Sequence, residues 1–360
     1  MQTIKVETPS KAYDILVEWG GLSQIGDWIS ETISPCRAAL LTDENVWRQH
    51  GEQVESSIHE AGFDLTVIVR PPGEGQKCMA SVSEIYDSLV EGKLDRQSAL
   101  IAFGGGVVGD LGGFVASTYL RGIPFIQVPT TLLAQVDSSV GGKVGVNHPM
   151  GKNLIGSFYQ PEGVLIDPSV LASLPQADLI AGLAEVLKYG VIRDPDLWAY
   201  LGEHREKILN LSQDEIEHII AVSCQIKADV VSEDEKEGGL RMILNYGHTI
   251  GHALEATGGY GSYRHGEVVA IGMVAAAMLS EKMELAPVGL AEKHQRLIGD
   301  YGLPVGCKVQ NPDQILSVMY NDKKALRGKL RFILASEIGK VEITDEVTDE
   351  LVMEVLGEFG

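Results

Sequence analysis

The chain has no CxxC pair: Cys36, Cys78, Cys224 and Cys307 lie far apart, which speaks against a disulfide framework and a cysteine zinc site and fits a reducing cytoplasm. It has no run of about 18 apolar residues free of charge or turn signals, so no membrane span is expected. The N-terminal stretch MQTIKVETPSKAYDILVEWG lacks the basic start and apolar run of a secretory signal. Internal repeats and low-complexity tracts are absent. Basic residues are scarce, 29 Lys and Arg against 50 Asp and Glu, and the net charge of −21 argues against nucleic acid or an anionic membrane as main partner. A small anionic substrate is still possible, because a local cluster of Lys and Arg can override the global sign. There is no GxxxxGK[ST], which disfavours P-loop hydrolysis.

What is present is enough chain for two cores, 360 residues with 44% hydrophobic. Up to about residue 170, short apolar runs (Tyr13–Val17, Ala38–Thr42, Leu65–Val69, Ala99–Phe103, Phe125–Val128, Val164–Ile166) alternate with amphipathic stretches such as Asn45–Ala61 and Gln76–Glu91. That alternation predicts a mainly parallel sheet flanked by helices, with ligands beyond the carboxyl ends of the strands. After Pro175 the pattern turns helical: Ala177–Gly190, Asp196–Leu211, Asp214–Val231, His248–Thr257, Glu267–Met283 and Leu290–Tyr301. Strand signals return only at Arg331–Leu334 and Lys340–Ile343. The expected organisation is an α/β, Rossmann-like dinucleotide-binding domain over 1–175 and a helical metal- and substrate-binding domain over 176–360. The segment SEDEKEGG at 232–239 reads as a solvated loop.

Two stretches carry the chemistry. In RMILNYGHTIGHALE, His248 and His252 stand at i and i+4 of an expected helix, on one face, where two imidazoles can bind one divalent cation with a third ligand from elsewhere. The same spacing also describes two ordinary helix histidines. Downstream, GGYGSYRHGE carries His265 and Glu267 in what reads as a loop able to fold back with a further ligand. Glu185 follows the small, apolar Ala181–Ala184, a setting in which a buried carboxylate needs a partner, and a metal supplies one. The other stretch is GGGVVGDLGGF, directly after the expected strand Ala99–Phe103. Glycines between strand and helix let backbone N–H groups meet a diphosphate. Asp43 and Asn45 after the second strand, and Glu74 with Lys77 after the third, place ribose- or phosphate-type chemistry at neighbouring strand ends, favouring a dinucleotide. The long connection VPTTLLAQVDSSVGGKVGVNHPMGKNLIGSF is expected to be functional, with Lys143 and Lys152 among glycines as anion binders.

Glu74 with Lys77, GGGVVGDLGGFVASTYLRG, VPTTLLAQVDSSVGGKVGVN, GKNLIGSF, GLAEVLKYG and RMILNYGHTIGHALE, in this order, closely resemble the 3-dehydroquinate synthases, sugar-phosphate cyclases of the shikimate pathway to chorismate and the aromatic amino acids. The resemblance covers nearly the whole chain. It implies metal ligands Glu185, His248 and His265, with His252 facing the substrate instead. It implies substrate contacts at Asp137, Lys143, Asn153, Lys188, Lys227, Arg241, Asn245, His252 and Lys324, and Arg121 reaching the substrate phosphate of the neighbouring subunit of a homodimer. It places the dinucleotide against Asp43, Asn45, Glu74, Lys77, Gly105, Gly106, Val107, Asp110, Thr130, Thr131, Lys143, Lys152 and Ser173. Two departures stand out: Ala177-Asp178 where the family often has Arg-Glu, and Gly75-Gln76 inside the GExxK pattern.

The activity so implied is that of a cytoplasmic carbon–oxygen lyase needing NAD+ and one Zn2+ or Co2+. In 3-deoxy-D-arabino-heptulosonate 7-phosphate the C5 hydroxyl is transiently oxidised, phosphate leaves by β-elimination and C5 is reduced again. The ring then opens, and an intramolecular aldol gives 3-dehydroquinate. The alternatives are a different cyclase, such as 2-deoxy-scyllo-inosose synthase, whose substrate has no carboxylate for Arg241, Asn245 and His252, or a metal-dependent NAD polyol dehydrogenase, which has little use for so many basic residues.

Overall fold

A computed structural model describes residues 1–258, 263–323 and 330–359. The chain divides into two compact units, Met1–Pro175 with Gln213–Lys236, and Gln176–Ser212 with Glu237–Gly360.

The first unit runs β1 (Gln2–Glu7), β2 (Ala12–Val17), α1 (Ile25–Thr32), β3 (Arg37–Asp43), α2 (Glu44–Glu60), β4 (Asp64–Arg70), α3 (Met79–Glu91), β5 (Ala99–Gly104), α4 (Gly106–Thr118), β6 (Phe125–Pro129), β7 (Lys143–His148), β8 (Gly151–Phe158) and β9 (Gly163–Ile166). Its seven-stranded sheet has the order β1-β2-β9-β6-β5-β3-β4 and is parallel except for the β1–β2 pair. Successive side chains of a strand point to opposite faces, and both faces here are covered. Ala39, Leu41, Leu100 and Ala102 pack with Val82, Ile85 and Leu111 from α3 and α4. Ala38, Leu40, Ile101 and Phe103 pack with Ile25, Ile29, Val54 and Ile58 from α1 and α2. Between β3 and β5 the order of connection reverses, so their carboxyl ends open the crevice where ligands of such sheets bind. The long connection after β6 contains structure that alternation did not reveal. It holds a π-helical turn at Ala134–Ser138 and the antiparallel β7–β8 hairpin.

The second unit starts with α5 (Gln176–Ile192), α6 (Pro195–Glu203) and α7 (Arg205–Leu209). The expected single helix over Asp196–Leu211 is interrupted at His204, whose φ of −108° leaves the helical region. Helix α8 (Gln213–Glu233), expected in the helical half, belongs to the first unit: it packs on β1, and its buried Lys227 reaches the π-helical turn. The second unit resumes with α9 (His248–Thr257), α10 (His265–Lys282), α11 (Leu290–Asp300), α12 (Pro312–Lys323), the β10–β11 hairpin (Phe332–Glu337, Lys340–Thr344) and α13 (Asp349–Glu358). Helices α5 and α10 are buried nearly all round, as the central members of a helical core are. Two glycines let the helices meet. A Cβ on Gly266 would stand 1.9 Å from the Ala181 carbonyl oxygen in α5, and one on Gly272 1.8 Å from that of Gly247.

Candidate active site

The close approach at Gly266 has a direct consequence. It brings His265, the first residue of α10, beside Glu185, one turn beyond Ala181 on α5. His248 is delivered by another device: Gly247, with φ of +79°, turns the chain into α9 so that the imidazole sits in its first turn. Glu185 Oε1 lies 3.5 Å from His248 Nε2 and 3.4 Å from His265 Nε2. One donor atom from each of the three falls within 4.8 Å of the others, the spacing that a single cation bridges. The His248 Nδ1 is 3.0 Å from the Tyr246 carbonyl, which can only accept; Nδ1 therefore carries the hydrogen and Nε2 keeps its lone pair for the site.

Glu185 is 0% exposed; its Oε2 is ion-paired with Lys188, and its Oε1 faces the His248 and His265 imidazoles. Burial pushes its carboxyl up, but the adjoining Lys188 ammonium and the two imidazoles prevail and hold it well below the usual carboxylate range. A buried carboxylate with one oxygen facing two imidazole nitrogens is a donor set that fits Zn2+ or Co2+. The i,i+4 pair of His248 and His252 is not the converging set: the third donor is His265 at the start of α10. The ring of His252 stands edge-on to that of His248 at 5.1 Å, and its side chain is exposed. His265 is not a loop residue as expected: α10 begins there, two residues before the expected helix start at Glu267. Glu267 caps α10, its carboxylate accepting the Arg264 backbone N–H at 2.7 Å. Asp178, one of the departures from the family pattern, pairs with Arg264 at 2.8 Å and so holds the entry to the helix that presents His265.

Arg241 is buried, and Asn245 Nδ2 donates to Glu237 Oε1 at 2.8 Å. Glu237 was missed from the sequence, where its segment read as solvated. Its left-handed backbone, φ of +60°, is the kind of strain found at working positions, and a charge-rich sequence gives no sign of it. In the same segment Glu235 accepts from Thr8 and Gln160 in the first unit, so this part too is anchored. Lys324 lies outside the described residues.

In the first unit, the expected dinucleotide residues gather at the strand ends. Gly105 caps α4 directly after β5, with Gly106 and Val107 in its first turn and Thr131 close to Gly105. The hydroxyls of Thr42 and Thr130, at the ends of β3 and β6, are buried without a partner, which suits a polar ligand there. Lys77 is buried and donates to Asp110 and, at 2.5 Å, to Asn153 Oδ1. Burial raises the Asp110 carboxyl although Lys77 pulls it the other way. Asp43 Oδ1 is engaged in capping α2, accepting the Asn45 N–H at 2.9 Å. Ser173 is 3.0 Å from His50 Nε2. Asp137 lies in the π-helical turn, held by Lys227 Nζ at 2.8 Å, and Lys143 and Lys152 lie on the β7–β8 hairpin. Arg121 is exposed on a turn where Leu120, Arg121 and Gly122 all have positive φ (50°, 70° and 118°).

Models described as 3-dehydroquinate synthase N-terminal and C-terminal match residues 67–181 and 182–325. The 3-dehydroquinate synthase of Desulforamulus reducens is 47% identical, over 99% of this chain and 100% of that one; that of Microcystis aeruginosa is 46% identical, over 98% and 97%. The chain belongs to the 3-dehydroquinate synthase family. Its fold is that of the sugar-phosphate cyclases. The structure of 2-epi-5-epi-valiolone synthase from Streptomyces hygroscopicus with NAD+ and Zn2+ bound aligns with a TM-score of 0.90 at 26% identity, covering 96% of each chain. That of 2-deoxy-scyllo-inosose synthase with carbaglucose-6-phosphate, NAD+ and Co2+ aligns at 0.90 and 27%, covering 100% of each. The identities separate the alternatives: the 3-dehydroquinate synthases stand near 46%, the other cyclases near 27%. A glycerol dehydrogenase at 16% shares the fold alone.

Proposed function

We propose that this chain converts 3-deoxy-D-arabino-heptulosonate 7-phosphate into 3-dehydroquinate and phosphate, using NAD+ catalytically and one Zn2+ or Co2+ held by Glu185, His248 and His265. The observation that carries the reading is the convergence of a buried carboxylate and two imidazoles within a chain of this family. When bound, the cation supplies a Lewis acid and the dinucleotide a reversible hydride acceptor for C5.

The remaining work falls to the chain's own groups. The substrate has a carboxylate and a phosphate, and Lys143, Lys188, Lys227, Arg241 and Lys324 supply positive charge in a chain of net charge −21. Asp137, oriented by Lys227, accepts from a substrate hydroxyl, as does Asn153 through its amide oxygen. Asn245, aimed by Glu237, binds the carboxylate end with Arg241 and His252. Glu74, Lys77, Asp110, Thr130, Thr131, Lys152, Ser173, Asp43, Asn45 and the Gly105–Val107 turn hold the dinucleotide. Asp43 does so with the oxygen not committed to its helix cap.

The test is phosphate release from the heptulosonate phosphate with NAD+ and Zn2+, monitoring NADH. Release without accumulation of NADH, lost on chelation, is expected. Release only from glucose 6-phosphate, or stoichiometric NADH from a polyol, overturns the reading. The protein acts as a homodimer with Arg121 on the neighbour's substrate phosphate. Mixing Arg121→Ala with Lys188→Ala protein should then recover activity that neither has alone; no recovery under conditions where subunits exchange refutes the shared site.

A further inference from the structure

Asn147 sits between two groups of residues given separate tasks above. It stands opposite a bulge: between Val146 and His148 the register shifts, and three residues of β8, 152–154, face Asn147 alone. A bulge takes residues out of the ladder and re-aims them. Asn147 pairs instead with Cys78, next to Lys77. Its backbone N–H donates to the Lys77 carbonyl at 2.8 Å, its Nδ2 donates to Glu74 Oε1 at 2.7 Å, and its Oδ1 accepts the Asn153 N–H at 2.9 Å. Asn153 departs from strand geometry, with φ of +54°, and returns the link by accepting from Lys77 Nζ. The hairpin leaves regular β geometry where it is tied to the Glu74–Lys77 turn, through the bulge in β8 and the left-handed Asn153 within it. That irregularity has a local cost, so the tie is built rather than incidental.

We propose that Asn147 is a positioning residue that links the dinucleotide residues Glu74 and Lys77 to the substrate residue Asn153, so that each ligand tightens the binding of the other. This rests on the site assignments under the proposed function. When the dinucleotide orders Glu74 and Lys77, Asn147 and the Lys77 ammonium hold Asn153 in its left-handed conformation, with its amide set for a substrate hydroxyl. Linkage requires the reverse effect to be equal. The amide is needed for its two faces, one donating and one accepting. A carboxylate of the same shape keeps the bond from the Asn153 N–H and places like charge against Glu74.

The experiment measures the NAD+ dissociation constant of the Zn2+-loaded protein with and without a substrate analogue in which a phosphonate carbon replaces the bridging ester oxygen. Wild type is expected to bind NAD+ at least about fivefold tighter with the analogue present, the lower end of ordinary coupling. Asn147→Asp should bring that ratio to within about twofold of one. The double variant Asn147→Asp with Glu74→Gln rebuilds the bond with reversed polarity and should recover the ratio, which a role in folding alone does not predict. Wild-type coupling in Asn147→Asp overturns the link, and failure of the double variant to recover overturns this hydrogen bond as its carrier. Wild type that releases phosphate yet binds NAD+ equally with and without the analogue overturns the link and leaves the function standing. Wild type that releases no phosphate overturns the function beneath it.

Discussion

The two units build their sites by opposite means. In the first, the residues proposed for the dinucleotide lie at the carboxyl ends of strands: Asp43 closes β3, Glu74 and Lys77 follow β4, Gly105 follows β5 and Thr130 follows β6. On that proposal many small contributions, several from backbone, share one ligand. In the second, three side chains on three helices converge on one point. Glu185 is 0% exposed, and its helix touches α10 with only a glycine hydrogen between Gly266 and the Ala181 carbonyl. A site spread over loops should lose affinity by degrees, whereas one built from a buried charge and helix contact should fail outright. The contrast can be tested substitution by substitution.

The largest effect is expected from Glu185→Gln, which keeps the shape and removes the charge. A Lewis acid contributes several kcal/mol, so turnover should fall on the order of 10³-fold or more, and dialysed protein should lose its zinc. Zinc content equal to wild type would dispose of the proposed ligand set. Gly266→Ala touches no ligand, yet its Cβ must displace backbone. We expect a loss of about 1–3 kcal/mol in stability together with weaker zinc retention. Gly75→Ala, in the turn between Glu74 and Lys77, meets nothing within 4 Å and should change both by little. Equal effects at the two glycines, read by urea unfolding and zinc titration, would erase the contrast between the units. Lys77→Ala should be milder than the loss of Glu185. Removing a charged hydrogen-bond donor costs about 1.5–3 kcal/mol, so NAD+ affinity should fall roughly 10- to 100-fold with zinc content unchanged.

The same contrast explains what was legible in the sequence. Strands buried on both faces leave continuous apolar runs, so β3, β5, β6 and β9 were readable, as was the glycine turn after β5. The β7–β8 hairpin was not, because its Gly-, Asn- and Ser-rich residues carry no apolar alternation. In the helical unit the HxxxH spacing pointed to the wrong pair, since periodicity describes one helix and the third ligand is brought by the contact of another. Only the motif resemblance placed Glu185 with His248 and His265. Glu237 was hidden for a related reason: a run of charges reads as solvent-facing until a left-handed turn directs one of them to Asn245. The membership of α8 depended on its packing against β1, which no local pattern reports.

A pH dependence also separates the units. His294 on α11 is fully buried, with Nδ1 on the Leu290 carbonyl at 2.9 Å and Nε2 3.0 Å from the Tyr246 hydroxyl. Burial lowers its pKa from 6.5 to about 4. Between those values the unfolded chain takes up a proton that the folded chain does not, so the second unit loses stability as pH falls from about 7 towards 4. A single group gives at most about 1.4 kcal/mol per pH unit. His294→Gln keeps a polar group near Tyr246 and removes the titration. Urea midpoints at pH 7, 6 and 5 should therefore fall less steeply in the variant than in the wild type. A variant as acid-sensitive as the wild type would mean that His294 is not what makes the helical unit yield to acid.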